Sequence, residues 1–297
     1  MIKVSLIASS VRYQLYESLF NSLKETSVKY DVIFAGNCEI DDWEPNRFGD
    51  NDTFVYIRTK NIKPAQCYEI ARRFSKAETV LWTADDCEFP NDVVGKAYTY
   101  WKSQNNKKLI LSIQTKESGY RLPEGQLFEM KNHTLIANDR TTPLMAPLAL
   151  MSREYLQELG GFDRRYICGQ YENDVVMNAL ADGGKVEIFG GEDCFIDIDH
   201  YGKSIKIGEC TNEEDFLNRP FATGYKNDRA VLLKTWCNFK FKLKLFNHGG
   251  KTYANTFWLE EGKLRAVNIC SERVDKFEPY EDKDILTKSQ SNKGKWE

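Results

Sequence analysis

Leu81-Trp82-Thr83-Ala84-Asp85-Asp86-Cys87-Glu88-Phe89-Pro90 decides how the chain folds. The apolar run Thr79-Val80-Leu81-Trp82 reads as a buried strand, and three carboxylates follow it within six residues. In open α/β sheets, ligands bind beyond the carboxyl ends of strands. Hard oxygen ligands packed this closely suit a divalent cation that also holds a phosphate. The same residues would also suit an acidic turn that caps the next helix, since Asp favours turns and helix starts.

Outward from this stretch, the elements alternate. Ile2 to Ala8 has a strand pattern. Val11, Leu15, Leu19 and Leu23 recur at helical spacing, with Phe20 widening the apolar face. Lys29 to Ala35 and Thr53 to Arg58 read as strands, separated by a polar loop. Pro64 suits a first helical position, and Cys67, Ala71 and Phe74 line one face of the helix that follows. Beyond the acidic stretch, a helix is expected over Asp92 to Ser103 and a strand over Lys108 to Gln114. Ser152 is placed to cap a helix that Gly160-Gly161 would end. Asp174 to Asp182 reads as helix, and Lys185 to Phe189 and Cys194 to Asp199 as short strands. This rhythm predicts an α/β fold, a mostly parallel sheet with helices on its faces.

The pattern changes near residue 205. Asp228 to Trp236 reads as helical, and Phe239 to Phe246 alternates apolar and basic residues like an edge strand guarded by lysines. Lys276 to Glu297 is polar and expected to be a mobile tail. We therefore divide the chain into 1–205 and a smaller α+β extension over 206–297, a candidate lid or acceptor-binding element.

The 297 residues carry a formal charge of -3, which argues against a generic nucleic-acid binder. Eight cysteines without a C-x-x-C pair suggest neither a zinc ribbon nor a disulfide framework. The chain opens on a strand pattern rather than a signal peptide, and no apolar run approaches the roughly 20 residues of a membrane span. A reduced, cytoplasmic protein is the expectation.

Four motifs, taken in order, resemble the glycosyltransferases of the GT-A fold, and specifically family 2. Val4-Ser5-Leu6-Ile7-Ala8-Ser9-Ser10 resembles the opening strand and nucleotide-contacting turn. Thr83 to Pro90 resembles the acidic metal-binding motif. Gly160-Gly161-Phe162-Asp163 followed by Glu172-Asn173-Asp174 resembles the acceptor-side signature with its catalytic acid. His200-Tyr201-Gly202-Lys203-Ser204 resembles the late segment that closes the metal site. The resemblance covers about the first two-thirds of the chain. It implies an inverting transferase that uses Mn2+ or Mg2+ and moves a sugar from a nucleotide-sugar donor, a UDP-sugar by expectation. The acceptor would be a glycan or another hydroxyl-bearing molecule. Two departures stand out. Gly36 occupies the place where the family commonly carries a base-holding aspartate, which leaves Asn37 as the substitute, and Ser9 replaces a usual proline.

The resemblance assigns Asp86 as the direct metal ligand and Asp85 to ribose or metal-bound water, with Glu88 either a further ligand or merely solvated. His200, one of three histidines, would contact metal or phosphate. Asp174 is the candidate base, in a first helical turn whose dipole favours its ionised form; Glu172 is the alternate, and the bland reading of Asp174 is stabilisation of the helix start. Ser9 and Ser10 fall in the nucleotide-contacting turn. Arg12, Lys60 and Lys63 would screen phosphates or simply face solvent. Tyr166 and Tyr171 would stack on a sugar ring or be buried. Other readings remain: a non-catalytic nucleotide- or glycan-binding relative, a sugar nucleotidyltransferase (disfavoured because Ala8 to Tyr13 has no glycine), and a transferase acting on modified nucleic acid, which would demand a basic groove.

Overall fold

A computed structural model of the protein describes residues 1–36 apart from 11, 53–59, 64–117, and 146–198 apart from 164 and 192. Beyond these it describes 228, 230–232, 235, 241–248, 251–259, 285–292 and 295–296. At its centre lie four parallel strands: β1 (Val4–Ser9), β2 (Tyr30–Gly36), β3 (Thr53–Thr59) and β4 (Thr79–Trp82). The order β3-β2-β1-β4 means the chain winds outward from β1 to β3, then returns to the other side of β1. That reversal opens a crevice at the carboxyl ends of β1 and β4, where such sheets take ligands. The acidic stretch begins where β4 ends.

The sheet continues past β4 through β8 (Ala149–Ser152), β6 (Leu109–Ile113) and β9 (Lys185–Phe189). Of these seven strands only β8 runs against its neighbours. The fold is thus the expected α/β class with a mostly parallel sheet. On the other side β13 (Ile285–Asn292) lies antiparallel to β3, followed by β14 (Lys295–Trp296). The segment read as a mobile tail is therefore in part strand at the sheet's margin: backbone pairing satisfies donors and acceptors whatever the side chains. A hairpin of β11 (Phe241–His248) and β12 (Lys251–Leu259) bears out the alternating stretch as strand.

Helices Tyr16–Leu23, Pro64–Phe74, Val93–Ser103, Arg153–Glu158 and Tyr171–Ala181 flank the sheet. Tyr16, Phe20, Phe34 and Phe54 lock the first helix to β2 and β3, with ring centroids 5.3–6.0 Å apart and mostly edge-to-face. Ser152 caps its helix by accepting from the Tyr155 amide, as its sequence position suggests. Asp92 caps the helix that begins at Val93, accepting from Gly95. The last of these helices starts three residues before Asp174, at Tyr171, with Gln170 at its amino end.

A second, three-stranded sheet joins β5 (Cys87–Glu88), β10 (Ile196–Ile198) and β7 (Thr115–Glu117). Ile198 lies opposite Cys87, so the end of β10 reaches the residue next to Asp86.

Candidate active site

Two chain segments make the crevice. Ser10 and Arg12 come from the turn after β1, and Asp85 and Asp86 from the turn after β4. Thr83 ties the two, its amide donating to the Ile7 carbonyl at 2.9 Å. Asp85 and Asp86 are 1% and 5% exposed, so each charge must find compensation within the protein.

Arg12 supplies it. Its Nε donates to Asp85 Oδ1 at 2.9 Å, its Nη2 donates to the same oxygen, and its Nη1 lies 2.9 Å from Asp86 Oδ2. The Arg12 amide and Ser10 Oγ donate to Asp85 Oδ2 at 3.0 and 2.9 Å. Four donors thus fill the acceptor capacity of Asp85. Burial works against the guanidinium charge, yet the carboxylates of Asp85 and Asp86 outweigh it and hold Arg12 above its ordinary value. Because Ser10 spends its proton on Asp85, the 2.7 Å contact between Ser10 Oγ and Tyr16 OH has Tyr16 as donor. Tyr16, Ser10 and Asp85 form one directed chain of hydrogen bonds.

Gly36 belongs to the same wall. A Cβ there would stand 1.7 Å from the Ser10 carbonyl oxygen and 2.9 Å from Tyr56 OH. The Ser10 amide donates to the Ala35 carbonyl at 2.9 Å, which draws the turn against β2. An aspartate cannot stand at 36 while the turn holds this position, which gives the sequence departure a steric cause.

Tyr68 links the acidic turn to the helix of the second cluster. Its hydroxyl donates to the Thr83 carbonyl at 2.6 Å, and its ring stacks on Tyr171 at 4.7 Å. Burial, with added repulsion from Cys87, Asp85 and Asp86, pushes the Tyr68 hydroxyl well above its ordinary range; burial and the neighbouring Tyr68 do the same to Tyr171. Burial and the charge of Asp86 likewise raise the Cys87 thiol. All three are neutral at pH 7, so they add no charge to the Arg12, Asp85 and Asp86 group. Tyr166 and Tyr171, read as sugar-stacking or buried, are buried.

Glu172 and Asp174 occupy the first turn of the Tyr171–Ala181 helix. Asp174 is fully buried, with Asn178 Nδ2 2.7 Å from its carbonyl and 3.4 Å from its Oδ2. Glu172 is half-buried. The loop before this helix is held from far along the chain: Asp228, fully buried, accepts from the amides of Ile167, Cys168 and Gly169 at 2.8, 2.6 and 2.9 Å. The Gly160-Gly161-Phe162-Asp163 motif packs against Glu69. That carboxylate, itself fully buried, pairs with Arg72 and Arg73 and accepts from the Phe162 amide at 3.0 Å.

The structure thus brings Ser10, Arg12, Asp85 and Asp86 into contact and sets Ser9 at the end of β1 beside Ala35. Glu88 is turned to Ser18 of the Tyr16–Leu23 helix, from which it accepts a hydrogen bond. Asn37, Lys60, Lys63, His200 and Ser204 lie outside the described residues. Sequence reasoning passed over Tyr16, Tyr68 and Asp228. The two tyrosines carried a signal, as large residues on helices next to the motif strands, whereas nothing local marks Asp228.

No family model matches the chain, and no curated protein matches it. Solved structures do. S. aureus TarS 1-349 superposes with a TM-score of 0.51 at 14% identity, over 80% of this chain and 72% of that one; the same protein is known in complex with UDP and with UDP-GlcNAc. GalNAc-T7 with UDP, GalNAc and Mn2+ superposes at 0.50 and 12% identity, over 68% of this chain and 45% of that one. The chain has the GT-A glycosyltransferase fold.

Proposed function

We propose that this chain transfers a sugar from a nucleotide-sugar donor, a UDP-sugar by the company its fold keeps, to a hydroxyl acceptor with inversion at the anomeric carbon. The observation that carries the reading is the Ser10, Arg12, Asp85 and Asp86 cluster at the β1/β4 switch point. TarS bound to UDP-GlcNAc and GalNAc-T7 bound to UDP and Mn2+ support the donor class.

The donor set fits a divalent cation on charge. Asp85 and Asp86 are buried carboxylates, hard anionic oxygen donors of the kind such an ion takes. Asp86 would hold Mn2+ or Mg2+, with His200 its partner on the sequence reading; Asp85, filled by Arg12 and Ser10, would hold the frame. When bound, the ion supplies Lewis-acid stabilisation of the departing diphosphate. The chain's own residues do the rest. Arg12 is rigidly aimed by Asp85 and presents a cationic edge to phosphate oxygens. Ser10, drawn against Gly36, fixes the turn under the nucleotide.

Between the two candidate bases, accessibility favours Glu172. A base must come within hydrogen-bond reach of the acceptor hydroxyl, and Glu172 is the half-buried member of the pair. Fully buried Asp174 would then position the first turn of the helix. Attack from the face opposite the diphosphate gives the inversion.

Donor binding and hydrolysis, measured across a panel of nucleotide sugars with and without Mn2+, test the reading. Metal-stimulated binding or slow release of one nucleotide, lost in Asp86→Ala, is the expected result. Absence of binding to every donor with Mn2+ present would refute it and favour a non-catalytic relative.

A further inference from the structure

We infer that Tyr68 is a positioning residue: it holds the turn of Asp85 and Asp86 at a fixed spacing from the helix that carries Glu172, so that donor and base meet in register. The inference rests on the transferase reading and deepens it with a residue that acts through others.

The Pro64–Phe74 helix touches both halves of the site. Ala65, Tyr68, Glu69 and Arg72 recur at i, i+3, i+4 and i+7, one face of a helix. The Ala65 amide, one of the first four that a helix leaves without an internal partner, donates to the Ile167 carbonyl at 3.0 Å. Glu69, paired with Arg72, accepts from the Phe162 amide at 3.0 Å. These two contacts fix the segment that leads into the Tyr171–Ala181 helix.

Tyr68 is the member of that face that reaches both ways. Its hydroxyl donates to the Thr83 carbonyl at 2.6 Å, two residues before Asp85. The Thr83 amide donates in turn to Ile7, so the backbone entering the acidic turn is held on one side by β1 and on the other by Tyr68. The Tyr68 ring stacks on Tyr171, with centroids 4.7 Å and planes 29° apart. Tyr171 opens the helix and directly precedes Glu172. Phe162 closes the cluster, edge-on to Tyr171 at 5.6 Å and to Trp82 of β4 at 5.7 Å. All four rings are buried, and a close-packed interior transmits a displacement rather than absorbing it. Burial keeps the Tyr68 hydroxyl protonated, so it serves Thr83 as a donor and is no proton shuttle. Sugar transfer needs the leaving diphosphate and the base aligned across the anomeric carbon, and a single phenol spans the segments that carry them.

The test compares wild type, Tyr68→Phe and Tyr171→Leu, each alone and beside Glu172→Gln. Calorimetry gives UDP affinity with Mn2+ present, and turnover is UDP release per folded molecule from the nucleotide sugar of the panel that wild type cleaves fastest. Tyr68→Phe keeps the ring and its volume, and so carries the test if Tyr171→Leu fails to fold. A misplacement of about 1 Å can cost ~100-fold in rate, so Tyr68→Phe is expected to lose ~10- to 100-fold in kcat with UDP affinity unchanged. Beside Glu172→Gln the same substitution is expected to cost less than ~3-fold, because groups that act as a unit are not additive. The kcat pH profile of Tyr68→Phe should keep the wild-type limbs. A merely structural tyrosine would lower the melting temperature and leave turnover per folded molecule unchanged. That result, or a loss of kcat as large beside Glu172→Gln as in wild type, refutes the positioning role and leaves the transferase reading standing. If wild type cleaves no donor of the panel, both fall.

Discussion

Asp228→Ala removes a carboxylate on which three successive amides converge. Its oxygens accept from Ile167 at 2.8 Å, Cys168 at 2.6 Å and Gly169 at 2.9 Å, and the side chain is fully buried. Hydrogen bonds to a charged group contribute ~1.5–3 kcal/mol each. Ile167 is half-buried, so water can replace its partner. Cys168 and Gly169 are buried, and their orphaned amides set the expected loss at ~3–6 kcal/mol for the two bonds together. Asp228→Asn should fall between: one amide oxygen can serve Cys168 and Gly169, but the amide nitrogen then faces the Ile167 donor. Urea unfolding followed by circular dichroism measures both variants. The three amides lie directly before the helix that bears Glu172 and Asp174, so folded Asp228→Asn should lose turnover of the donor more than affinity for UDP. The reasoning fails if Asp228→Ala unfolds within ~0.5 kcal/mol of wild type, the range of an ordinary surface substitution.

Gly36→Ala places a Cβ 1.7 Å from the Ser10 carbonyl; overpacking of this kind costs ~1–3 kcal/mol, and UDP affinity should fall with it because the Ser10 turn must retreat. Asp31, 6% exposed, is raised by burial from 3.8 to about 6, a hydrogen bond from Ser5 only partly offsetting the shift. The folded protein thus binds the proton more tightly than the unfolded chain, and stability falls as pH rises from about 4 to 6. At ~1.4 kcal/mol for each tenfold change in the proton equilibrium, Asp31→Asn should recover up to ~3 kcal/mol at pH 7 and flatten that fall; a melting temperature that keeps the wild-type pH slope would refute the assignment. Glu172→Gln should cost ~100- to 10,000-fold in turnover with donor affinity retained, whereas Asp174→Asn should lower the melting temperature as well; the reverse pattern would restore Asp174 as the base. Gly161→Ala sets a side chain at φ 73° with its Cβ 2.4 Å from Glu69 Oε2, and thermal unfolding should show a loss of ~2 kcal/mol or more from strain and overpacking combined.

The sheet was legible because burial on both faces writes itself as short apolar runs, as in Val4 to Ala8 and Thr79 to Trp82. The helix at Ser152 was legible because capping chemistry is local. What escaped was pairing that side chains do not announce. Ala149–Ser152 is a four-residue strand that reverses direction between β4 and β6, and its brevity gives no period to count. Cys87–Glu88 is shorter still, and although Cys194 to Asp199 reads as a strand, the pairing of Ile196–Ile198 with Cys87–Glu88 depends on two turns far apart in sequence. Ile285–Asn292 is largely polar and lies near the sheet's edge, where its backbone pairs with β3 along its length and with β14 only at its end. Polarity alone made it resemble a tail.

The site divides along the same line. Asp85, Asp86, Glu172 and Asp174 stood out because carboxylates next to apolar runs are costly unless used or capped. Yet identical residue types take different parts, and only the third dimension assigns them. Asp85 accepts from Ser10 and from the Arg12 amide and guanidinium, Asp86 meets Arg12 Nη1, and Glu88 faces Ser18. The sequence places these three within four positions and offers no means of ranking them. Arg12 lies 73 residues from Asp85, in a turn where a lysine or arginine is ordinarily solvated, so its bridging role has no local signature. Of the two departures from the pattern the sequence resembles, Gly36 was the better clue. A glycine at 36, where a side chain would collide with Ser10, is what lets the β1 turn close on β2 and carry Ser10 and Arg12 onto the carboxylates. With glycine there the turn closes on β2, and the one guanidinium that turn carries meets both Asp85 and Asp86.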